Sequence, residues 1–292
     1  MFGNGITEYR SLSLRAGQDY PYSFFRNELF QELCLEASDS LYTQESKYCI
    51  LYLNGDYYGI YCLKEDFSEQ YYASHAGVSV DSVEGFRAPA DYMSEYNMLV
   101  QGFGQTADMK DPENYQKICD RINIDSLIDW FLFESWCANT DTQANQRIYR
   151  SAENGKRWEY AFYDLDWGLW YHEGNFRILL YGVGNVGSEM PGLISSLMKN
   201  PDFRDRVLTR YSELISTVLS DEYVLAKIDE YVELLSPEMP RDRDRWNLRM
   251  KTWYDWVDSM RDILRSGYAD YTIDTLCKCQ KIGREERARY FG

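Results

Sequence analysis

Tyr48-Cys49-Ile50-Leu51-Tyr52-Leu53 and Tyr57-Tyr58-Gly59-Ile60-Tyr61-Cys62-Leu63 stand on either side of Asn54-Gly55. Asn-Gly is the strongest short hairpin signal, because a type I′ turn needs positive φ at both central positions. The flanking runs are rich in aromatic and aliphatic residues, so the pair reads as two antiparallel strands. Upstream, residues 8–15 alternate polar and apolar around Leu12 and Leu14, a further strand pattern. Ala16-Gly17-Gln18-Asp19 breaks it. Ser23 then predicts a helix cap, with Phe25, Leu29, Phe30 and Leu33 on the buried side. The first 65 residues read as strand, helix and hairpin.

Lys64-Glu65-Asp66-Phe67 leads into a helix near Ser68, read as the crossing from a small N-terminal lobe (1–66) to a larger C-terminal one (67–292). Residues 78–112, rich in Gly, Pro and Asp, predict an irregular insertion, and Asp111-Pro112 punctuates before a helix over 113–121. The clearest helix covers 124–137, where Leu127, Ile128, Phe131, Leu132 and Trp136 recur at helical spacing. Short strands are expected at 147–150 and 158–163 around a turn at 153–156. Residues 171–190, punctuated by glycines, predict a mobile loop. From Leu193 the pattern is helical to the end, with breaks at Asn200-Pro201 and 236–240.

Composition narrows the function. A net charge of −16 argues against nucleic acid or anionic membrane as a partner. No run of 18 apolar residues occurs, so no membrane span is expected, and the start carries no signal-peptide pattern. Seven scattered cysteines without a CxxC pair suggest neither a disulfide framework nor a zinc ribbon. Two histidines leave little material for a Ser-His-Asp triad. The 26 tyrosines and 8 tryptophans fit a Tyr-rich globular surface or a sugar-binding one.

Chemistry concentrates in Asn139-Thr140-Asp141-Thr142-Gln143-Ala144-Asn145-Gln146 and in Asp164-Leu165-Asp166-Trp167-Gly168. An aspartate with amides four and five residues on, then a hairpin and an acidic-aromatic-glycine turn, is the spacing of a phosphotransfer site. Asp141 would orient an acceptor hydroxyl, while Asn145, Gln146 and Asp164 would hold a divalent cation, with Asp166 as support or second ligand. Asp164 and Asp166 share a face if the segment is extended. Each residue also has a plainer reading: Asp141 as a turn residue, Asn145 and Gln146 as strand-edge polars, one of the two later aspartates as a turn cap. Glu28 and Glu32 are candidates to pair with a phosphate-contacting base, or line a solvated helix face. Trp158 is a core aromatic or an adenine platform. Residues 241–245, alternating Arg and Asp, read as a salt-bridged surface.

With these residues in view, the chain resembles the spore coat protein H (CotH) kinase family of atypical secreted kinases. The hairpin through Lys64-Glu65 is similar to the family's extended Asn-Gly segment. Residues 141–146 resemble its Asp-x-x-x-Asn-Asn loop, and 158–168 its Trp-to-Gly strand and turn. Pro201-Asp202-Phe203-Arg204, and residues 237–246 with Arg241 and Trp246, are similar to its helical tail. The resemblance implies an α+β, atypical protein-kinase-like two-lobe fold with a reduced β-rich small lobe and a large, mainly helical lobe. It implies ATP with Mg²⁺ or Mn²⁺, a Ser/Thr-bearing protein substrate, and a secreted, cell-surface or spore-coat location. It carries the catalytic aspartate onto Asp141, the metal aspartate onto Asp164, the nucleotide-site tryptophan onto Trp158 and the start of the adenine-facing connector onto Glu65. Two departures stand out. Gln146 replaces the second loop Asn, and the upstream segment with a lysine strand and glycine turn is largely absent. Arg15 or Arg10 stands nearest that strand, and Arg does not simply replace Lys at a phosphate site. A nucleotide-binding pseudokinase, and a carbohydrate-active protein using Asp141 and Asp164 as a carboxylate pair, remain alternatives.

Overall fold

The computed structural model describes residues 1–87, 96, 98–142, 145–171, 175–182 and 189–292. Its first sheet is antiparallel, in the order β1-β3-β2, from β1 (Leu12–Arg15), β2 (Ser46–Leu53) and β3 (Asp56–Glu65). Asn54 and Gly55 take φ of 53° and 90°, closing the β2–β3 hairpin as the dipeptide predicts. The strand expected over 8–15 narrows to β1. Helix α1 (Arg26–Ala37) buries Leu29, Phe30 and Leu33. Ser23 does not cap it; its hydroxyl donates to Asp19 Oδ2 at 2.6 Å. Asp19 also accepts the Arg26 backbone N–H (3.3 Å) and guanidinium (2.8 Å), so a buried carboxylate tethers the helix start.

Ser68 caps α2 (Glu69–Ala76) by accepting the Tyr71 N–H, and Gly77, at φ 68°, ends it. The insertion expected over 78–112 is corrected in part. It contributes β4 (Val83–Arg87) to a second antiparallel sheet with β5 (Arg147–Ser151) and β6 (Glu159–Ala161), in the order β4-β5-β6. It also holds a helical stretch, Met98–Phe103; residues 88–95 and 97 lie outside the described ones.

The helical body comprises α3 (Pro112–Cys119), α4 (Ile124–Trp136), α5 (Asn175–Tyr181), α6 (Glu189–Leu197), α7 (Pro201–Ile215), α8 (Asp221–Leu235), α9 (Met239–Arg245), α10 (Met250–Arg265), α11 (Tyr268–Gln280) and α12 (Arg284–Phe291). Side chains of Asp111, Asn123, Asn200 and Ser220 cap α3, α4, α7 and α8. α4 is buried nearly all round, which is why its sequence is apolar on every side. The loop expected over 171–190 contains α5 and the start of α6; residues 172–174 and 183–188 of it are outside the described ones.

The surface expected of 241–245 is corrected in part: Arg241, Asp244 and Arg245 are exposed, but Asp242 is 0% and Arg243 1% exposed. Asp242 accepts the Ile60 N–H (2.8 Å) and the Tyr20 hydroxyl (2.9 Å), and Arg243 donates to Tyr20 O (2.6 Å). Arg245 donates to Tyr57 O, and Arg241 lies over the Tyr57 ring. α9 therefore buttons the first sheet onto the helical body. Gly59 permits it, since a Cβ there would meet Asp242 Oδ1 at 2.7 Å and Trp246 Nε1 at 2.8 Å.

Candidate functional site

α4 ends at Trp136, and Ala138 (φ 51°) turns the chain into the loop that carries Asp141. Asn139 shapes this loop. Its Nδ2 donates to Glu134 Oε2 (3.0 Å), and its Oδ1 accepts the Asp141 N–H (3.2 Å). The Thr142 hydroxyl lies 2.9 Å from Glu134 Oε2 and 2.8 Å from Asn139 O. Asp141 then accepts from Asn145 Nδ2 at 3.0 Å. Residues 143–144, between them, are outside the described ones. Partial burial raises the Asp141 carboxyl; the Asn145 bond opposes this, and the charge of Asp164 adds to it. The two aspartates thus sense each other across separate elements. Gln146, half-buried, leads straight into β5.

Downstream of β6 the chain does not stay extended: Asp164 has φ 60°, an uncommon conformation for a non-glycine residue. α1 holds the turn that follows. Asn27 Oδ1 accepts the Leu165 N–H (3.0 Å), and a Cβ on Gly168 would come within 2.4 Å of Phe30 Cε2. Arg15, at the end of β1, reaches across so that one guanidinium nitrogen meets both Asp164 and Asp166, the latter at 2.7 Å. Asp166 Oδ2 also accepts the Gln18 N–H (2.9 Å). Burial pushes the Asp166 carboxyl up to about 6 despite the opposing pull of Arg15. Asp164 is more open, with its side chain 26% exposed against 6% for Asp166.

Glu28 lies behind this pair and meets a base from the first sheet, as its place on α1 suggested. That base is Lys64 of β3, not Arg15. Lys64 Nζ is 2.9 Å from Glu28 Oε1 and 2.7 Å from Gln31 Oε1. Burial pushes the Glu28 carboxyl up, but Lys64 outweighs it and leaves the group below its ordinary value. Glu32, by contrast, binds Lys227 and the Tyr231 hydroxyl.

Two residues do not join the cluster. Neighbouring strand residues face opposite ways, so Lys64 pointing at α1 turns the Glu65 carboxylate to the other side. There it accepts from Asn4 (3.2 Å) and the Glu45 N–H (3.0 Å), and His75 Nε2 lies 3.0 Å away. It lines a shallow cleft with Arg10, Tyr9 and Ser68. Trp158 is 1% exposed, against the Tyr96 ring and under the Arg150 guanidinium (4.4 Å), with its backbone tied to Arg121 and Asn123. In this structure it is a core residue.

Glu134, Lys64 and Asn27 went unassigned in the sequence. Glu134 left a trace, as an acid among Phe131, Leu132, Phe133 and Trp136. The signal for Lys64 was alternation, since Ile60 and Cys62 also face inward. Among the described residues no three His, Cys, Asp or Glu side chains gather into a metal-binding group, so a divalent cation here would rest on a smaller donor set. Asp164 offers a part-exposed carboxylate, and Asn145, whose Nδ2 is turned to Asp141, has its amide oxygen left for a cation. Mg²⁺ needs only one or two carboxylates and completes its shell with phosphate and water. Arg15 engages both aspartates, but Asp166 suits the cation less, being buried and also accepting the Gln18 N–H.

A small antiparallel sheet with one buried helix, joined to a helical body, defines an α+β, protein-kinase-like protein. The family model described as CotH kinase protein matches residues 3–268, and the chain belongs to that family. A comparison with curated proteins returned no match. Among the described residues no helix is long and apolar enough to cross a membrane.

Proposed function

We propose that this chain is an ATP-dependent Ser/Thr protein kinase of the CotH type, acting on a secreted or surface protein. The observation that carries the reading is the Asp141–Asn145 hydrogen bond in the loop after α4, in a chain of the CotH kinase family whose acidic turn at Asp164 adds to the rise of the Asp141 carboxyl. Asp141 would accept a hydrogen bond from the acceptor hydroxyl and take up its proton as the oxygen–γ-phosphorus bond forms and the bond to the β-phosphate oxygen breaks. Asp164 and the Asn145 oxygen would hold the divalent cation, which offsets charge on the triphosphate. Arg15 is the cation of β1 nearest to them and would meet the phosphates if it let go of its carboxylates. We place the division between the lobes near residue 66.

Arg15 also supports a second reading. A guanidinium that already pairs with both Asp164 and Asp166 suits a pseudokinase that binds nucleotide without turnover. Incubation with radiolabelled ATP, Mg²⁺ or Mn²⁺ and a Ser/Thr-rich acceptor protein separates the two. Label in the acceptor that vanishes in Asp141→Ala supports the kinase. Saturable ATP binding without transfer supports the pseudokinase, and neither activity refutes both.

A further inference from the structure

Glu134 is 3% exposed in the last turn of α4. The other buried acid of that helix, Asp129, faces the Arg210 guanidinium at 2.8 Å. Glu134 instead faces an amide and a hydroxyl, Asn139 Nδ2 at 3.0 Å and Thr142 Oγ1 at 2.9 Å, both on one carboxylate oxygen. Burying a carboxyl against neutral donors alone is costly, and burial pushes this one up to about 8. A leucine at this position would continue the apolar run at no such cost, so the acid needs a reason. Both of its donors belong to the loop that carries Asp141. Asn139 also accepts the Asp141 N–H, and its own N–H lies 3.3 Å from Glu134 O. The Glu134 side chain and backbone carbonyl thus both hold the loop, on a helix that is buried nearly all round.

We propose that Glu134 is the positioning residue of the phosphotransfer loop, holding Asn139 and Thr142 so that the Asp141 carboxylate is presented to the acceptor hydroxyl. The proposal rests on the kinase reading above for its consequence in catalysis, though not for the geometry it explains. Glu134 touches neither nucleotide nor acceptor in this role, so its loss acts on turnover and leaves ATP affinity in place.

The test compares Glu134→Leu, which keeps the volume and removes the acceptor, with Glu134→Gln, whose amide oxygen still accepts both bonds. Steady-state phosphoryl transfer should show kcat for Glu134→Leu lowered about tenfold or more, with KM for ATP within about twofold. Glu134→Gln should recover most of that loss. Equal kcat in Glu134→Leu and the unaltered protein overturns the proposal. So does a Gln variant as slow as the Leu variant, because the role assigned is that of acceptor, not of charge. If the unaltered protein transfers no phosphoryl group, the kinase reading fails separately, and the loop is read by amide hydrogen exchange. Exchange at Asn139, Asp141 and Thr142 should then quicken about tenfold in Glu134→Leu and not in Glu134→Gln. Unchanged protection in Glu134→Leu overturns the proposal on that ground.

Discussion

Lys64 and Glu28 form an ion pair at 2.9 Å with both side chains out of solvent, joining β3 to α1. Gln31, Asn27 and Tyr48 complete the hydrogen bonding around it. α1 also holds the acidic turn through Asn27, so the pair fixes the distance between the first sheet and the Asp164 segment. Removing one partner strands the other charge. We expect Lys64→Met to cost about 3–5 kcal/mol, and the double variant Lys64→Met/Glu28→Leu to be more stable than Lys64→Met alone. Urea denaturation of the three proteins checks this. A double variant no better than the single one would mean that the pair is not the coupling element.

The two aspartates should divide the work. Asp164→Ala is expected to abolish Mg²⁺-supported ATP binding, whereas Asp141→Ala leaves it largely intact and cuts phosphoryl transfer by about a hundredfold or more. Isothermal calorimetry with and without Mg²⁺ reads the first effect, and a transfer assay the second. Loss of nucleotide in Asp141→Ala as severe as in Asp164→Ala would reverse the assignment.

Arg15 competes with any cation for Asp164. Arg15→Gln should tighten Mn²⁺ binding in the absence of nucleotide by about tenfold, since a positive charge leaves the site. It should weaken ATP binding if the guanidinium reaches the phosphates. Electron paramagnetic resonance titration of free Mn²⁺ gives the first quantity. Weaker Mn²⁺ binding in the variant would show that Arg15 organises the carboxylates instead of blocking them.

Glu134 also sets a pH dependence. Its carboxyl is raised from 4.5 to about 8 in the folded protein, so the native state holds a proton that the unfolded chain has released over that interval. This contribution is complete below about 4.5, declines as pH rises, and is gone above about 8. In Glu134→Gln that slope disappears. Denaturation midpoints between pH 5 and 9 should fall more steeply for the unaltered protein, with a difference on the order of a few kcal/mol across the range. Parallel curves would argue that the carboxyl ionises normally.

What could be read in the sequence was local. Asn54-Gly55 fixes its own turn, and the spacing of Leu127, Phe131 and Leu132 makes α4 a helix wherever it packs. β4 was hidden because its partner is β5, some sixty residues away, and its own composition is that of a loop. Within the Arg-Asp run at 241–245, exposed at Arg241, Asp244 and Arg245 as alternating charge usually is, Asp242 goes under. Its burial follows from Ile60 and Tyr20 supplying donors that no nearby residue announces. Spacing picked out Asp141 and Asp164, which stand on the loop after α4 and the turn after β6. The direction of Glu65 depended on which face of β3 meets α1, a tertiary fact that alternation alone leaves open.

Gly168 closes the acidic turn against α1, and its need for hydrogen in place of Cβ is specific. An added methyl would sit 2.4 Å from Phe30 Cε2 and 3.0 Å from Cδ2, inside a packed core where Phe30 is 1% exposed. Either the ring or the turn must move, and overpacking of this kind costs about 1–3 kcal/mol. Since Asn27 ties α1 to Leu165, the displacement would carry Asp164 and Asp166 with it. We expect Gly168→Ala to lower both stability and Mg²⁺-supported ATP affinity. Phe30→Leu trims the ring and costs about 1 kcal/mol or somewhat more by itself. Combined with Gly168→Ala it should recover stability relative to the sum of the single effects, with a coupling energy of about 1 kcal/mol or more. Calorimetric unfolding of the four proteins measures that coupling. Strict additivity would place the strain elsewhere than at the Phe30 contact.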